Sequence, residues 1–153
     1  MKLRGYRSSH RPLLTGTWLP GELLGLPLAD WPALADPTTV PPPGEDTGEL
    51  CVVPDTGFVR YHAIDWVHRR ARLEIGLRPD AVHAAAPLLT AAVEHGLSVL
   101  NLRRLYGWVT PATQPPTDAL TDAGFRTEAS VPGAIWLDGR PAERHIWGVT
   151  RND

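Results

Sequence analysis

Between residues 71 and 77 the side chains alternate. Ala71, Leu73, Ile75 and Leu77 fall on one side, and Arg72, Glu74 and Gly76 on the other. A period of two predicts a strand. Arg78-Pro79-Asp80 stops it, since Pro cannot donate to a ladder and Asp is a favoured helix cap. From Ala84 to Leu100 the period changes: Leu89, Ala92, Val93, Gly96, Val99 and Leu100 recur at helical spacing and predict a buried stripe. Leu102 to Val109 then reads as a second strand, and Thr117 to Ala123 as a short helix closed by Gly124. Strand, crossover helix and strand imply two parallel strands.

Around this unit the pattern is mostly β. Residues 2 to 7 read as a strand, Glu49 to Val53 as a short one, Pro54 to Gly57 as a turn, and Phe58 to Val67 as a long strand. Along the last, Phe58, Arg60, His62, Ile64 and Trp66 share one face. Bulk on both faces makes this strand central. His68-Arg69-Arg70 turns the chain back into Ala71. Late in the chain Arg126 to Ser130, Ala134 to Leu137 and Arg144 to Thr150 read as strands, with a hairpin turn at Asp138-Gly139-Arg140. Residues 12 to 46 differ. Pro12, Pro20, Pro27, Pro32, Pro37 and Pro41-Pro42-Pro43 break any long element, yet Leu and Trp are too frequent there for disorder. The expectation is an ordered, irregular segment with short helices at 21–26 and 31–35, followed by an exposed loop at 37–48.

Composition narrows the function classes. At 153 residues the chain is expected to form one domain with one core. A formal net charge of −2 gives no reason to expect nucleic acid or an acidic membrane as partner. The single cysteine, Cys51, forbids an intrachain disulfide, and its setting in an apolar run predicts a buried strand residue in a reduced, cytoplasmic protein. No leader or membrane-spanning run is recognised. Lys2 is the only lysine, and this Arg, Ala and Pro bias suggests a GC-rich bacterial source.

The strand "LEIGLRP", the run "LNLRRL" after a long helix, the helix end "DAGF" and the late pair "LDGRPAERHIWGV" occur in an order that resembles the GCN5-related N-acetyltransferase superfamily. The likeness covers residues 57 to 150 and is closest to the branch that acetylates ribosomal proteins and small molecules. No single piece is specific; their order and spacing carry the resemblance. It implies an α+β fold with a mixed, mostly antiparallel sheet, one splayed parallel pair at its centre and helices flanking it.

The resemblance further implies that acetyl-coenzyme A or another acyl-coenzyme A lies in the V between those strands. Backbone N–H groups near Ile75, Gly76 and Leu77 would polarise the thioester carbonyl. The pyrophosphate would sit at the crossover helix, against His83, Ala84, Ala85 and Ala86. Physically, free N–H donors and the positive end of the dipole make an anion site. Here the sequence departs from the family. The loop 79–88 has no glycine, Pro87 removes a donor, Asp80 adds a negative charge, and no Lys or Arg occurs between Arg78 and Arg103. The Asn that the family often carries after the second strand is replaced, by spacing, by Thr113. These departures argue for weakened or lost coenzyme binding.

Candidate catalytic groups are few. Glu74, on the first strand of the V, is placed for a general base, and His62 is the other candidate. Their plainer roles are a pair with Arg60 or Arg72 for Glu74, and a hydrogen-bonded core residue for His62. Tyr106 projects from the second strand with Trp108 and is a candidate acid or substrate ligand. Of the six tryptophans, Trp18, Trp31, Trp66 and Trp108, with Arg60, are candidates for lining a substrate pocket. No His, Cys and carboxylate spacing suggests a metal. His83 and His95 lie 12 residues apart, about 120° around a helix, and do not converge.

The resemblance therefore implies an acyltransferase acting on an amine of a small molecule or peptide. Two alternatives follow from the departures. One is a coenzyme-independent enzyme of the same fold, performing elimination, cyclisation or isomerisation in a small-molecule pathway. The other is a non-catalytic subunit using the fold as a homodimer or with another protein partner.

Overall fold

A computed structural model describes residues 1–16, 18, 48–109, 117–137 and 139–152. Its strands are β1 (Arg4–Gly5), β2 (Glu49–Val53), β3 (Gly57–Asp65), β4 (Arg70–Leu77), β5 (Arg104–Val109), β6 (Arg126–Leu137) and β7 (Arg140–Thr150). They form one seven-stranded sheet in the order β1-β2-β3-β4-β5-β7-β6. Every neighbouring pair is antiparallel except β4 and β5. The helices α1 (Ala85–Glu94) and α2 (Asp118–Asp122) pack on each other.

The alternation at 71–77 places Leu73, Ile75 and Leu77 in a core beneath α1, together with Cys51, Val59, Tyr61, Leu88, Leu89, Ala92 and Leu105. A second core lies on the opposite face. There Leu14 of the 3-10 helix Ser8–Leu14 packs with Trp18, Leu50, Val52 and Phe58. Two buried faces explain why β3 carries bulk on both sides.

Several boundaries correct the expectations. β3 ends at Asp65, not Val67. Asp65 Oδ1 accepts from the Val67 and His68 N–H groups at 3.1 and 2.9 Å, which turns the chain before Trp66 can pair. A register shift between His62 and Asp65, with Ala63 at φ +51°, flips the alternation. Ile64 therefore joins Tyr61 in the α1-side core, and His62 does not share its face.

The expected helix 84–100 is α-helical only from Ala85 to Glu94 and finishes as a π turn over His95–Val99. The Leu100 N–H reaches back five residues to the His95 carbonyl at 2.9 Å. Gly96 makes that wide turn possible at close range. A Cβ there would sit 2.8 Å from Leu105 Cδ1 and 3.0 Å from Tyr61 Cε1. The π turn carries Val99 out of the predicted stripe, and it is exposed.

Residues 126–137 form one strand rather than two. A register shift between Val131 and Ile135, with Gly133 at φ +63°, absorbs Pro132 as a bulge. β7 correspondingly starts at Arg140 rather than Arg144. The predicted Gly124 stop after α2 is observed, at φ +95°. Among the described residues no helix is long and apolar enough to cross a membrane.

Candidate active site

β4 and β5 pair over only three positions: Arg70 with Arg104, Ala71 with Leu105, and Arg72 with Tyr106. Beyond them the strands part. β4 runs on to Leu77 paired with β3, and β5 runs on to Val109 paired with β7. Two strand edges thus face each other across a V without ladder bonds, at Leu73–Leu77 and Gly107–Val109. An unpaired edge is a row of directed donors and acceptors that an extended ligand can complete.

The register also assembles one face of the sheet. Arg60 lies opposite Glu74, His62 opposite Arg72, and Arg72 beside Tyr106. Trp108 lies two residues beyond Tyr106 on the same face. Five sequence candidates (Glu74, His62, Tyr106, Arg60 and Trp108) are therefore brought to one surface. Glu74 is buried, at 7% exposure, and its carboxylate accepts from Arg72 Nη2 at 2.9 Å. This is the Arg72 pairing expected as its plainer role, and it fixes where the carboxylate points. His62 is exposed, which corrects its reading as a core histidine. Arg104 lies 5.5 Å from the Tyr106 ring, and Arg144 stacks 3.8 Å from that of Trp108. Arg104 also grips Glu128 through both guanidinium nitrogens. That fork raises the pKa of Arg104 and lowers that of Glu128.

At the open end of the V, Phe58 lies over Gly76, where a Cβ would meet Phe58 Cε1 at 1.9 Å. Gly76 thus has a packing reason of its own. Trp18 meets Phe58 edge-on at 5.0 Å, with Arg78 stacked 3.8 Å from the Trp18 ring. Arg78 Nη2 donates to the Leu13 carbonyl at 2.9 Å, and burial lowers the Arg78 pKa. Trp18 is accordingly a core residue, and among the described residues its buried Nε1 has no hydrogen-bond partner. Ile75 and Leu77 turn their side chains fully into the core.

Other assignments move. Trp66 is exposed in the turn before β4, at the paired end of the β4–β5 unit, and so cannot line the V. The segment between β4 and α1 is a 3-10 helix, Pro79–Ala84, begun by Pro79; Asp80 sits in its first turn and does not cap it. Its Ala81 N–H bonds to the Arg78 carbonyl, and the Ala85 N–H to that of Val82. Ala84 and Ala85 are buried, whereas His83 and Ala86 are exposed. The Ala85 donor assigned to an anion is therefore already engaged, because a tight 3-10 turn replaces the open loop. Trp31 and Thr113 lie outside the described residues, as do the expected helices at 21–26 and 31–35.

Cys51 is a buried strand residue, as expected. Burial, reinforced by the negative charge of Glu49, pushes its thiol pKa up to about 12. A thiol so held is a poor nucleophile. Tyr61, which the pattern marked only as strand bulk, donates its hydroxyl to the Ala92 carbonyl at 2.6 Å, and burial raises its pKa well above the ordinary value.

Comparison with known proteins places this geometry. No family model matches the chain, and no curated protein matches it. Solved structures do. A mutant form of the spermidine N-acetyltransferase SpeG from Vibrio cholerae superposes with a TM-score of 0.71 at 15% identity, over 98% of this chain and 95% of that one. Spermidine N-acetyltransferase from the same organism in complex with CoA and spermine gives 0.64 at 21% identity, over 69% and 67%. A dodecameric structure of that enzyme gives 0.63 at 21% identity, over 69% and 66%. With its mixed sheet, parting parallel pair and crossover helix, the chain has the fold of the GCN5-related N-acetyltransferases.

Proposed function

We propose that the chain is an acyltransferase that moves an acyl group from an acyl-coenzyme A to an amine of a small molecule or peptide. The observation that carries this reading is the β4–β5 ladder ending after Arg72 and Tyr106, which leaves two strand edges facing each other. The backbone of Leu73–Leu77 would hold the extended pantetheine arm as a third strand is held, by N–H and carbonyl groups that have no ladder partner on that side among the described residues. When bound, the coenzyme supplies the acyl group as a thioester.

The chain's own groups do the rest. Glu74, buried and oriented by Arg72, takes the proton that an amine must lose on acylation. Tyr106 brings a hydroxyl to the same face from the opposing strand. N–H groups at the parted edge of β4 polarise the carbonyl under attack. The spermidine acetyltransferase was solved with a polycation, spermine. Among the described residues, Arg60, Arg70, Arg72, Arg104 and Arg144 share the face with Asp65, Glu74 and Glu128, and this excess of guanidinium groups favours an amine that also carries an anionic group over a polycation.

The test is release of free coenzyme A thiol from acetyl-coenzyme A over a panel of amines, with amino acids, peptides and polyamines in separate arms. Turnover with an acidic or zwitterionic amine is expected. Glu74→Gln should lower kcat/KM by about 10²- to 10⁴-fold. Absence of turnover across the panel, or an unaffected E74Q variant, contradicts the assignment.

One observation favours a second reading, a coenzyme-independent enzyme of this fold. In the Pro79–Ala84 segment the Ala81 and Ala85 N–H groups are bonded within the chain, and the acidic Asp80 stands in its first turn. That reading gains if the V takes up an organic substrate in the absence of any coenzyme.

A further inference from the structure

On the sheet face opposite the arginine-rich surface, three residues far apart in sequence converge. Glu49 and Cys51 are two apart on β2 and project to the same side. His95 begins the π turn at the end of α1. Its Nε2 lies 2.7 Å from Glu49 Oε2 and 3.9 Å from Cys51 Sγ. Among the described residues, these are the three that bring one ligand atom each within 4.8 Å of one another.

The convergence has a structural cause. Gly96, having no Cβ, lets the helix end pack directly on Tyr61 and Leu105, which draws His95 down onto β2. Tyr61 pins the preceding turn through the Ala92 carbonyl and lies alongside the His95 ring at 5.6 Å. π turns are rare and recur at functional sites.

The arrangement is not a nucleophile's relay. A base that activates a thiol uses one ring nitrogen for the sulfur and gives the other to its carboxylate. Here both the sulfur and the carboxylate face the same nitrogen. At 2.7 Å His95 Nε2 donates its hydrogen to Glu49; once that proton is moved to Nδ1, three lone-pair atoms lie close enough together for one cation to take.

We propose that Glu49, Cys51 and His95 form a site for a divalent transition metal, best suited to zinc. Sulfur, nitrogen and oxygen donors together favour this borderline-soft ion over magnesium or calcium. Tetrahedral bonds of about 2.0–2.3 Å place S and N about 3.6 Å apart and N and O about 3.3 Å apart. The observed separations bracket these values. A metal entering here need draw the sulfur in slightly and open the Glu49–His95 contact by about half an ångström.

On binding, the Cys51 thiol gives its proton to solvent, and His95 binds through Nε2 with its ring proton on Nδ1. A dication, a thiolate and a carboxylate then sum to zero charge, which suits a site whose sulfur is buried. Glu49 and His95 are partly exposed, which leaves a fourth position to water. The site lies on β2, away from the V, and would tie that strand to the end of α1.

The full chain, stripped of metal, is titrated with cobalt(II) as a spectroscopic probe and with zinc by calorimetry. One equivalent of cobalt should produce a thiolate-to-metal charge-transfer band, absent from Cys51→Ser. Zinc affinity should fall about 100-fold or more in C51S and in His95→Gln, and less in Glu49→Gln. Circular dichroism checks that each variant is folded. If C51S does not fold, the band in the wild type and the loss in H95Q carry the test. A folded wild type without the band, or zinc binding unchanged in H95Q, overturns the proposal and assigns any remaining affinity to surface histidines.

Discussion

The fork between Arg104 and Glu128 on the arginine-rich face is bidentate, with each nitrogen on one carboxylate oxygen at 2.5 Å. About a third of each side chain is exposed, so solvent screens it and it contributes at most about 1 kcal/mol. Its pH dependence has a definite sign. Folding lowers the Glu128 pKa from 4.5, chiefly through the Arg104 hydrogen bonds. The contribution is therefore fully present above 4.5 and is lost as pH falls through the lower folded value. Melting curves should show Glu128→Gln less stable than wild type at neutral pH, with the gap narrowing as the pH is taken below 4.5. A gap that stays constant would mean that the pair is not what E128Q removes.

At the scale of elements, close backbone packing around the V makes a sharp prediction. A Cβ on Gly57 would lie 2.1 Å from the Gly76 carbonyl oxygen, an atom that cannot swing aside. Gly57→Ala should destabilise the fold by about 1–3 kcal/mol. Gly5→Ala, with nothing within 4 Å, should stay within about 0.5 kcal/mol of wild type. Equal stabilities in denaturant titrations would contradict the β3–β4 register.

These elements also mark what could be read from the chain. Alternation at 71–77 gave β4 its faces, and Glu49–Val53 and the Gly124 stop were found where expected. Three of the misses share one cause: backbone irregularity decided by tertiary contact. The Ala63 bulge, the π turn at His95 and the Pro132-Gly133 bulge each insert a residue out of phase, and no periodic pattern registers an insertion. At the site, Arg60, His62, Glu74, Tyr106 and Trp108 share a face because strand parity is local and survives up to the bulge. Trp66 lies beyond that bulge, and its assignment fails. Cys51 and His95, 44 residues apart, meet only through the pairing of β2 and the packing of α1, so their spacing carried no signal.

Across the whole molecule, one sheet divides two kinds of chemistry. One face holds the buried Glu74–Arg72 pair and further arginines beside the open V; the other holds the core under α1 and the Glu49–Cys51–His95 cluster. Identities of 15–21% to the spermidine acetyltransferase structures carry the fold and no more. The parted strands argue for an acyl-coenzyme A ligand, and the 3-10 turn at Pro79–Ala84 argues for a loosened hold on its pyrophosphate. The most direct measurement is calorimetric titration of the full chain with acetyl-coenzyme A. Saturable binding of one ligand per chain, in the micromolar range or somewhat weaker, is the result predicted if the strand edges of the V hold the pantetheine arm. No heat at millimolar ligand would contradict the acyltransferase assignment and leave the V to a coenzyme-free substrate.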